Sequence, residues 1–307
     1  MTNKVAVLGS INVDTTYHVD RFPLPGETIS ANAKSSAPGG KGANQAVAAA
    51  RSGATTSFIG AVGNDSEGQY MLEMLKADQI NVDHIATNNV QGTGTALITL
   101  DANGQNDIMV FGGANQAMTV ADLDGFEAVA EELDFLVTQF ETPQAVAKEA
   151  FKIAKQHDVV TVLNPAPAAA IDPELLQYTD VIAPNETESE VLTGIKVDSE
   201  AAMAKTAAYF KEQGVQTTLI TLGEKGVYYS VNGTSGIVPA FKVKPVDTTA
   251  AGDTFIGGLV SQLNPDFSNV ADAIKYAQRA SSLTVQGMGA MPSIPTHDQV
   301  IAALNEN

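Results

Sequence analysis

The sequence predicts an α/β fold: a mainly parallel central sheet between two layers of helices. Short apolar runs of strand length alternate with longer stretches of helical period, the pattern of repeated βαβ units. The chain has 307 residues, 44% hydrophobic and 17% charged, the size and balance of one large globular domain. No internal repeat, low-complexity tract or linker interrupts it, so residues 1–307 read as a single domain.

Strands are expected at 5–8, 57–62, 134–138, 159–163, 180–183 and 217–221. Helices are expected between them at 43–51, 67–76, 143–157 and 201–213, and then in close succession at 253–262, 270–284 and 297–304. Pro143 suits the first turn of its helix, with Thr142 as the N-cap. Two regions break the rhythm. Residues 12–36 hold T-T-Y-H-V and T-I-S-A-N-A-K around the turn P-L-P-G, and residues 93–111 hold T-G-T-A-L-I-T-L, D-A-N-G and N-D-I-M-V-F. The second region reads as a hairpin, because Asn-Gly supplies positive φ. Together the two regions predict a small β-sheet inserted in the main domain, either a lid over a substrate site or an ordinary edge extension.

Composition narrows the function. Acidic residues outnumber basic ones 35 to 17, a formal charge of −18, which repels nucleic-acid backbones. With no cysteine, the chain has no disulfide, thiolate metal site or cysteine nucleophile. No apolar run reaches membrane-spanning length, and the run near the N-terminus is too short for a signal-peptide core. The expectation is a cytoplasmic protein whose sequons at Asn64, Asn185 and Asn232 carry no glycan.

Ligands of open α/β sheets bind outside the carboxyl ends of the strands, so the residues after each strand carry the functional reading. After the first strand, G-S-I-N-V-D places Asn12 and Asp14 two apart, able to face the same way and bind vicinal hydroxyls, or simply to form a turn. P-G-G-K-G-A-N-Q-A follows at 38–46. Its glycines allow close backbone approach to a ligand, and Lys41 and Asn44 add donors at a helix start. No Ser or Thr follows Lys41, so this is not a Walker A loop, and G-x-G-x-x-G is absent, which disfavours a nicotinamide oxidoreductase. Glu141 follows the strand at 134–138. In P-N-E-T-E, Asn185 and Glu188 share a face at a helix start, where they could hold the water shell of Mg²⁺ or cap the helix. Thr221 and the glycines of T-L-G-E-K-G could border a nucleotide or form a plain turn.

The most informative stretch is D-T-T-A-A-G-D-T-F at 247–255. Ala250, Ala251 and Gly252 put unobstructed amides at a helix N-terminus, an anion pocket, and Asp253 follows in the first turn. A carboxylate beside an anion pocket suits phosphoryl transfer, taking the proton of an attacking hydroxyl while the amides hold the charged group. Asp253 could instead cap its helix, but capping leaves Ala-Ala-Gly unexplained.

P-G-G-K-G-A-N-Q-A and D-T-T-A-A-G-D-T-F together resemble the two signatures of the ribokinase-like (PfkB-type) sugar kinases. G-S-I-N-V-D, P-N-E-T-E and G-A-M-P-S-I-P follow in the family's order along essentially the whole chain. The resemblance implies the three-layer α/β/α fold with a small β-sheet lid, and ATP-dependent phosphorylation of D-ribose at its 5-hydroxyl. It implies sugar contacts from Asn12, Asp14, Gly40, Lys41, Gly42, Asn44 and Glu141, and Asp253 as general base. Ala250, Ala251 and Gly252 would form the anion hole, and Asn185 and Glu188 would organise Mg²⁺. Thr221, Gly223, Gly226, Gly252 and Gln278 would lie along the nucleotide. Asp247 and Thr249, with Thr284, Gly287, Gly289 and Ser293, would form a K⁺ site. A homodimer clasped through the lid is also implied, with no nucleic-acid or membrane partner. The chain departs from the family pattern at V-Q-G-M-G, which lacks a basic residue, and at Gln278, where an Asn is usual. A same-family kinase for another sugar, a nucleoside or a ketodeoxy acid is the neighbouring alternative, and a catalytically silent sugar binder the distant one.

Overall fold

The computed structural model describes residues 2–306. In chain order its strands and α-helices are β1 (Lys4–Leu8), β2 (Asn12–His18), β3 (Ala33–Gly39), α1 (Lys41–Arg51), β4 (Thr55–Gly63), α2 (Ser66–Ala77), β5 (Asn81–Asn88), β6 (Gly94–Leu100) and β7 (Asn106–Phe111). Next come α3 (Phe126–Ala130), β8 (Phe135–Thr138), α4 (Gln144–Gln156), β9 (Val160–Leu163), α5 (Pro173–Gln177), β10 (Val181–Ile182), α6 (Glu186–Thr193) and α7 (Glu200–Glu212). The chain ends with β11 (Thr217–Thr221), β12 (Val227–Val231), β13 (Thr234–Val238), α8 (Ala251–Gln262), α9 (Val270–Thr284) and α10 (His297–Asn305).

A nine-stranded sheet runs in the order β13-β12-β11-β10-β9-β8-β1-β4-β5. Strands β11 to β5 across that order are parallel, and β12 and β13 add an antiparallel edge. The six expected strands are all present, in the middle of this sheet. Their short apolar runs are buried on both faces, as a parallel sheet between helix layers requires. One apolar layer packs Val5, Val7, Phe135 and Val162 against α1 and α8, and the other packs Leu8, Leu136 and Leu163 against α4.

A separate four-stranded sheet has the order β3-β2-β6-β7 and comes from the two irregular regions. The β6–β7 hairpin turns at Gly104, whose φ is +78°, while the Asp101 carboxylate accepts from the N–H groups of Asn103 and Gln105. T-I-S-A-N-A-K, expected to be extended, is mostly connection. Strand β3 starts only at Ala33, and Arg21–Glu27 and Asn32–Asp20 contacts close the loop before it. Pro143 also departs from expectation. It is the N-cap of α4, with ψ at 129°, rather than a first-turn residue, and the buried Thr142 hydroxyl has no partner among the described residues. No helix among the described residues is long and apolar enough to cross a membrane.

Candidate active site

The site forms where β1, β8, β9 and β10 end. Helix α8 follows its N-cap Ala250, whose φ of +59° is left-handed, and Asp253 occupies its third helical position. Asp253 is only 6% exposed. Its two oxygens are held separately: Asn44 Nδ2 donates to Oδ2 and Gln45 Nε2 donates to Oδ1, each at 3.0 Å. Burial raises its pKa above the ordinary carboxylate range, against the lowering pull of Lys41 and the two amides; Glu141 adds to the rise. No side chain caps α8 at Ala250, so its leading amides present the positive end of the helix dipole. Ala251 N–H folds back on the Thr248 carbonyl at 3.3 Å, whereas a Cβ on Gly252 would meet no atom within 4 Å.

The glycine run of β3 and α1 has a packing role in the chain. A Cβ on Gly40 would meet Asn12 N and Ser10 O at 2.8 Å, and one on Gly42 would meet Ser10 N at 2.6 Å. The glycines therefore let α1 press against the β1–β2 connection. Gly40 also has a φ of +93°. Glu141 has a role the sequence did not show: its Oε2 accepts from Lys41 N–H at 3.1 Å and from the Ser10 hydroxyl at 2.5 Å, capping α1 from the loop after β8. Asp14 lies beside it, and burial together with the Glu141 charge pushes Asp14 up to about 6. Asn12 is buried, and its amide oxygen accepts from Asn115 Nδ2 at 2.8 Å.

Asn185 and Glu188 form a reciprocal capping box on α6, each side chain accepting from the other's N–H at 2.8 Å. Glu188 Oε2 makes the cap bond, and desolvation and the Asp253 charge raise the Glu188 pKa while Lys41 lowers it. Glu188, Lys41 and Asp253 therefore share one electrostatic neighbourhood. Thr221 bridges to Asn185 at the end of β11. Gly223 has a φ of +56°, and Gly226, at φ +114°, leaves no room for a Cβ beside Val238 and Ala240. Gln278 donates to the Val238 carbonyl at 3.0 Å, tying α9 to this edge.

Asp247 joins two segments. Oδ1 accepts from Thr249 N–H and Oγ1, and Oδ2 accepts from Gly289 N–H at 2.9 Å. These bonds hold its pKa down against desolvation. Val246 and Asp247 N–H both reach the Val285 carbonyl, Gly287 N–H bonds the Thr284 carbonyl, and Gly287 packs on Ser293. The Thr284 hydroxyl contacts the Thr254 hydroxyl at 3.0 Å, which links this loop pair to α8. Among the described residues no cluster of three or more His, Cys, Asp or Glu side chains is arranged to hold a metal.

A family model for pfkB family carbohydrate kinases matches residues 2–297. This chain belongs to that family. A ribokinase of Staphylococcus aureus is 49% identical over 98% of this pfkB-family chain and 99% of its own length. A bifunctional ribokinase/ribose-5-phosphate isomerase A of Fructilactobacillus sanfranciscensis is 48% identical over 99% of this chain, which spans only 56% of that longer protein. Among solved structures, Arabidopsis thaliana ribokinase complexed with ribose and ATP superposes with a TM-score of 0.93 at 32% identity, covering 99% of each chain.

Asp14, Lys41, Asn44, Glu141, Glu188 and Asp253 are thus joined to one another in a chain of pairwise charge and hydrogen-bond contacts. The Asp247 segment adjoins this group, and the Thr221–Gly226 and Gln278 segment lies at the sheet edge. Sequence reasoning missed Ser10, Gln45, Asn115, Gln139 and Asn164, although Gln139 and Asn164 each stand immediately after a parallel strand, where ligand-side polar groups collect.

Proposed function

We propose that the chain transfers the γ-phosphoryl group of ATP to the 5-hydroxyl of D-ribose, giving D-ribose 5-phosphate and ADP. The observation that carries this reading is the juxtaposition of buried Asp253 with the uncapped start of α8. The names of the ribokinase relatives support ribose as the acceptor. Asn12, Asp14, Lys41, Asn44 and the Gly40–Gly42 turn would hold the sugar, and Thr221, Gly223, Gly226 and Gln278 would flank the nucleotide. Asp253 takes the hydroxyl proton as the sugar oxygen bonds to phosphorus. The bond from phosphorus to the bridging oxygen breaks, and ADP leaves with that electron pair. Positioned amides at Ala250, Ala251 and Gly252 meet the charge on the transferring group.

Mg²⁺ carried with the nucleotide would neutralise phosphate charge. Asn185 and Glu188 suit an outer role toward it through water, since the capping box engages Glu188 Oε2 and not Oε1. The Asp247 loop pair, with one carboxylate among neutral hydroxyl and carbonyl oxygens of Thr249, Thr284, Gly287, Gly289 and Ser293, has the donor chemistry of a K⁺ site. The four-stranded sheet would act as a lid on the single domain. Its edge strand β7 exposes Ile108, Met109, Val110 and Phe111, each more than half exposed, and a second copy covering them would give a lid-clasped homodimer. Acidity, absence of cysteine and the lack of an apolar helical span favour the cytoplasm, without nucleic-acid or membrane partners.

The test is a coupled ADP-release assay with ATP and Mg²⁺ over ribose, deoxyribose, fructose, adenosine and ketodeoxygluconate, with K⁺ or Na⁺. The product is then located by phosphorus–proton NMR. Preferred turnover of ribose with phosphate on C5 supports the reading. Preference for another acceptor reassigns the substrate, and sugar binding without ADP release makes the chain a silent binder.

A further inference from the structure

Gln45 belongs to α1, reaches Asp253 of α8 and is fully buried. Its amide oxygen and both of its amide hydrogens are bonded. Gln139 Nε2 donates to Gln45 Oε1 at 2.7 Å, so Gln45 Nε2 must face the other way. That nitrogen has two hydrogens. One goes to Asn164 Oδ1 and the other to Asp253 Oδ1, both at 3.0 Å. Asn164 is fixed in turn, since its Nδ2 donates to the Ala183 carbonyl at 3.1 Å. Gln139, Asn164 and Ala183 stand directly after β8, β9 and β10. The carboxyl edge of the central sheet therefore reaches Asp253 through one amide of defined direction. Helix packing keeps the amide in reach: a Cβ on Gly257 would meet Gln45 O and Ala48 Cβ at 2.5 Å, so only glycine there allows α8 this close to α1.

The two oxygens of Asp253 differ in what holds them. Oδ1 accepts from Gln45, a residue locked into the protein interior. Oδ2 accepts from Asn44, whose own Oδ1 is buried without a partner among the described residues. We propose that Gln45, oriented by Gln139 and Asn164, is a positioning residue that anchors Asp253 through Oδ1 and thereby leaves Oδ2 as the oxygen that receives the acceptor hydroxyl proton. This rests on Asp253 acting as the base of the phosphoryl transfer described above. The sequence stretch A-N-Q-A then has two tasks: Asn44 beside the reactive oxygen and Gln45 behind the inert one.

Three further charges act on Asp253 and stay constant in the comparison: Lys41 from α1, Glu141 beyond β8 and Glu188 from α6. The test compares wild type with Gln45→Met, which keeps the length but cannot donate, and with Gln139→Met, which leaves Gln45 present but frees its oxygen. Turnover is followed against pH. In parallel, the Asp253 carboxyl resonance is titrated by ¹³C NMR, identified by its disappearance in Asp253→Asn. Gln45→Met is expected to lower kcat about 10–100-fold, the range for losing an outer partner of a functional group. KM for the sugar should change less than kcat. The acid limb of the profile and the carboxyl titration should both move to higher pH, because a donor to the ionised form is lost. Gln139→Met should move both in the same direction by less.

A purely structural role would lower Tm in both variants and leave the acid limb and the carboxyl titration in place, which overturns the proposal. If Gln45→Met does not fold, an unmoved titration in Gln139→Met overturns it equally. Wild type without turnover on any acceptor would refute the functional reading instead, and the carboxyl titration would still decide whether Gln45 anchors Asp253.

Discussion

Helices α6 and α8 begin with the same design and finish it in opposite ways. Both place a carboxylate at the third helical position, Glu188 in N-E-T-E and Asp253 in A-A-G-D. In α6 the N-cap is Asn185, and the two side chains satisfy each other's backbone amides in a capping box. In α8 the N-cap is Ala250, which offers no side chain, and Asp253 turns away from its own helix to the amides of Asn44 and Gln45. One helix start is closed by its own residues. The other is left open to an anion, and its carboxylate is held from outside by α1. The difference shows how identical positions become structural or functional: what matters is whether local side chains consume the helix-end amides.

The contrast can be broken by closing α8. Ala250→Asp puts a capping carboxylate at a left-handed position that Asp tolerates, over the amides that would hold the phosphoryl group. Steady-state turnover should fall about 10²–10³-fold, the scale for losing a preorganised anion donor, while thermal stability holds or rises. A capped α8 with unchanged turnover would show that those amides are not used.

Loosening the outside support should cost less. Gly257→Ala forces a Cβ against Gln45 and Ala48 where the backbone cannot yield, an overpacking of about 1–3 kcal/mol in urea unfolding. Turnover should fall with it, as Asn44 and Gln45 move off Asp253. On the closed helix, Asn185→Ala removes the cap and should destabilise by about 0.5–2 kcal/mol, measured the same way. Its effect on turnover should be weaker than that of Ala250→Asp.

The remaining effect is pH-dependent and concerns Asp14, pushed up by burial and by Glu141 from 3.8 to about 6. The folded protein binds this proton more tightly than the unfolded chain. Stability from this group is present at acid pH and is lost as pH rises from about 4 to about 6. Asp14→Asn should therefore raise Tm by a few degrees above pH 6, make little difference below pH 4, and reduce kcat/KM for ribose.

Much of this arrangement was legible in the sequence. The six apolar runs at the centre of the sheet and the seven long helical patterns could be read because burial on both faces, or along one stripe, writes a period. A-A-G-D was readable because small residues before an acid have no packing purpose. The Asp247 segment and the loop at Gly287 and Gly289 could be joined only through family resemblance, since 42 positions separate Asp247 from its partner Gly289. Other features left weaker marks. Strand β5 is polar and lies at the sheet edge, so its alternation is faint. The β12–β13 hairpin carries Asn232-Gly233, both at positive φ, the same turn signal that identified residues 93–111, and it was available to be read. Gln45 left no mark, because a glutamine within a helical stretch looks like a solvated face until α8 covers it. Glu141 and Ser10 as remote caps of α1 are likewise products of tertiary packing, in which the donors lie in α1 and the acceptors in the loops that follow β8 and β1.

The most direct test of the whole account is ADP release with ATP, Mg²⁺ and ribose by wild type and Asp253→Asn, each checked for ATP binding by calorimetry. The account predicts that Asn keeps the fold and the nucleotide affinity and loses about 10²–10⁴-fold in kcat, the contribution of a general base. Near-wild-type turnover by Asp253→Asn would contradict it, and the proton would then have to leave by another group.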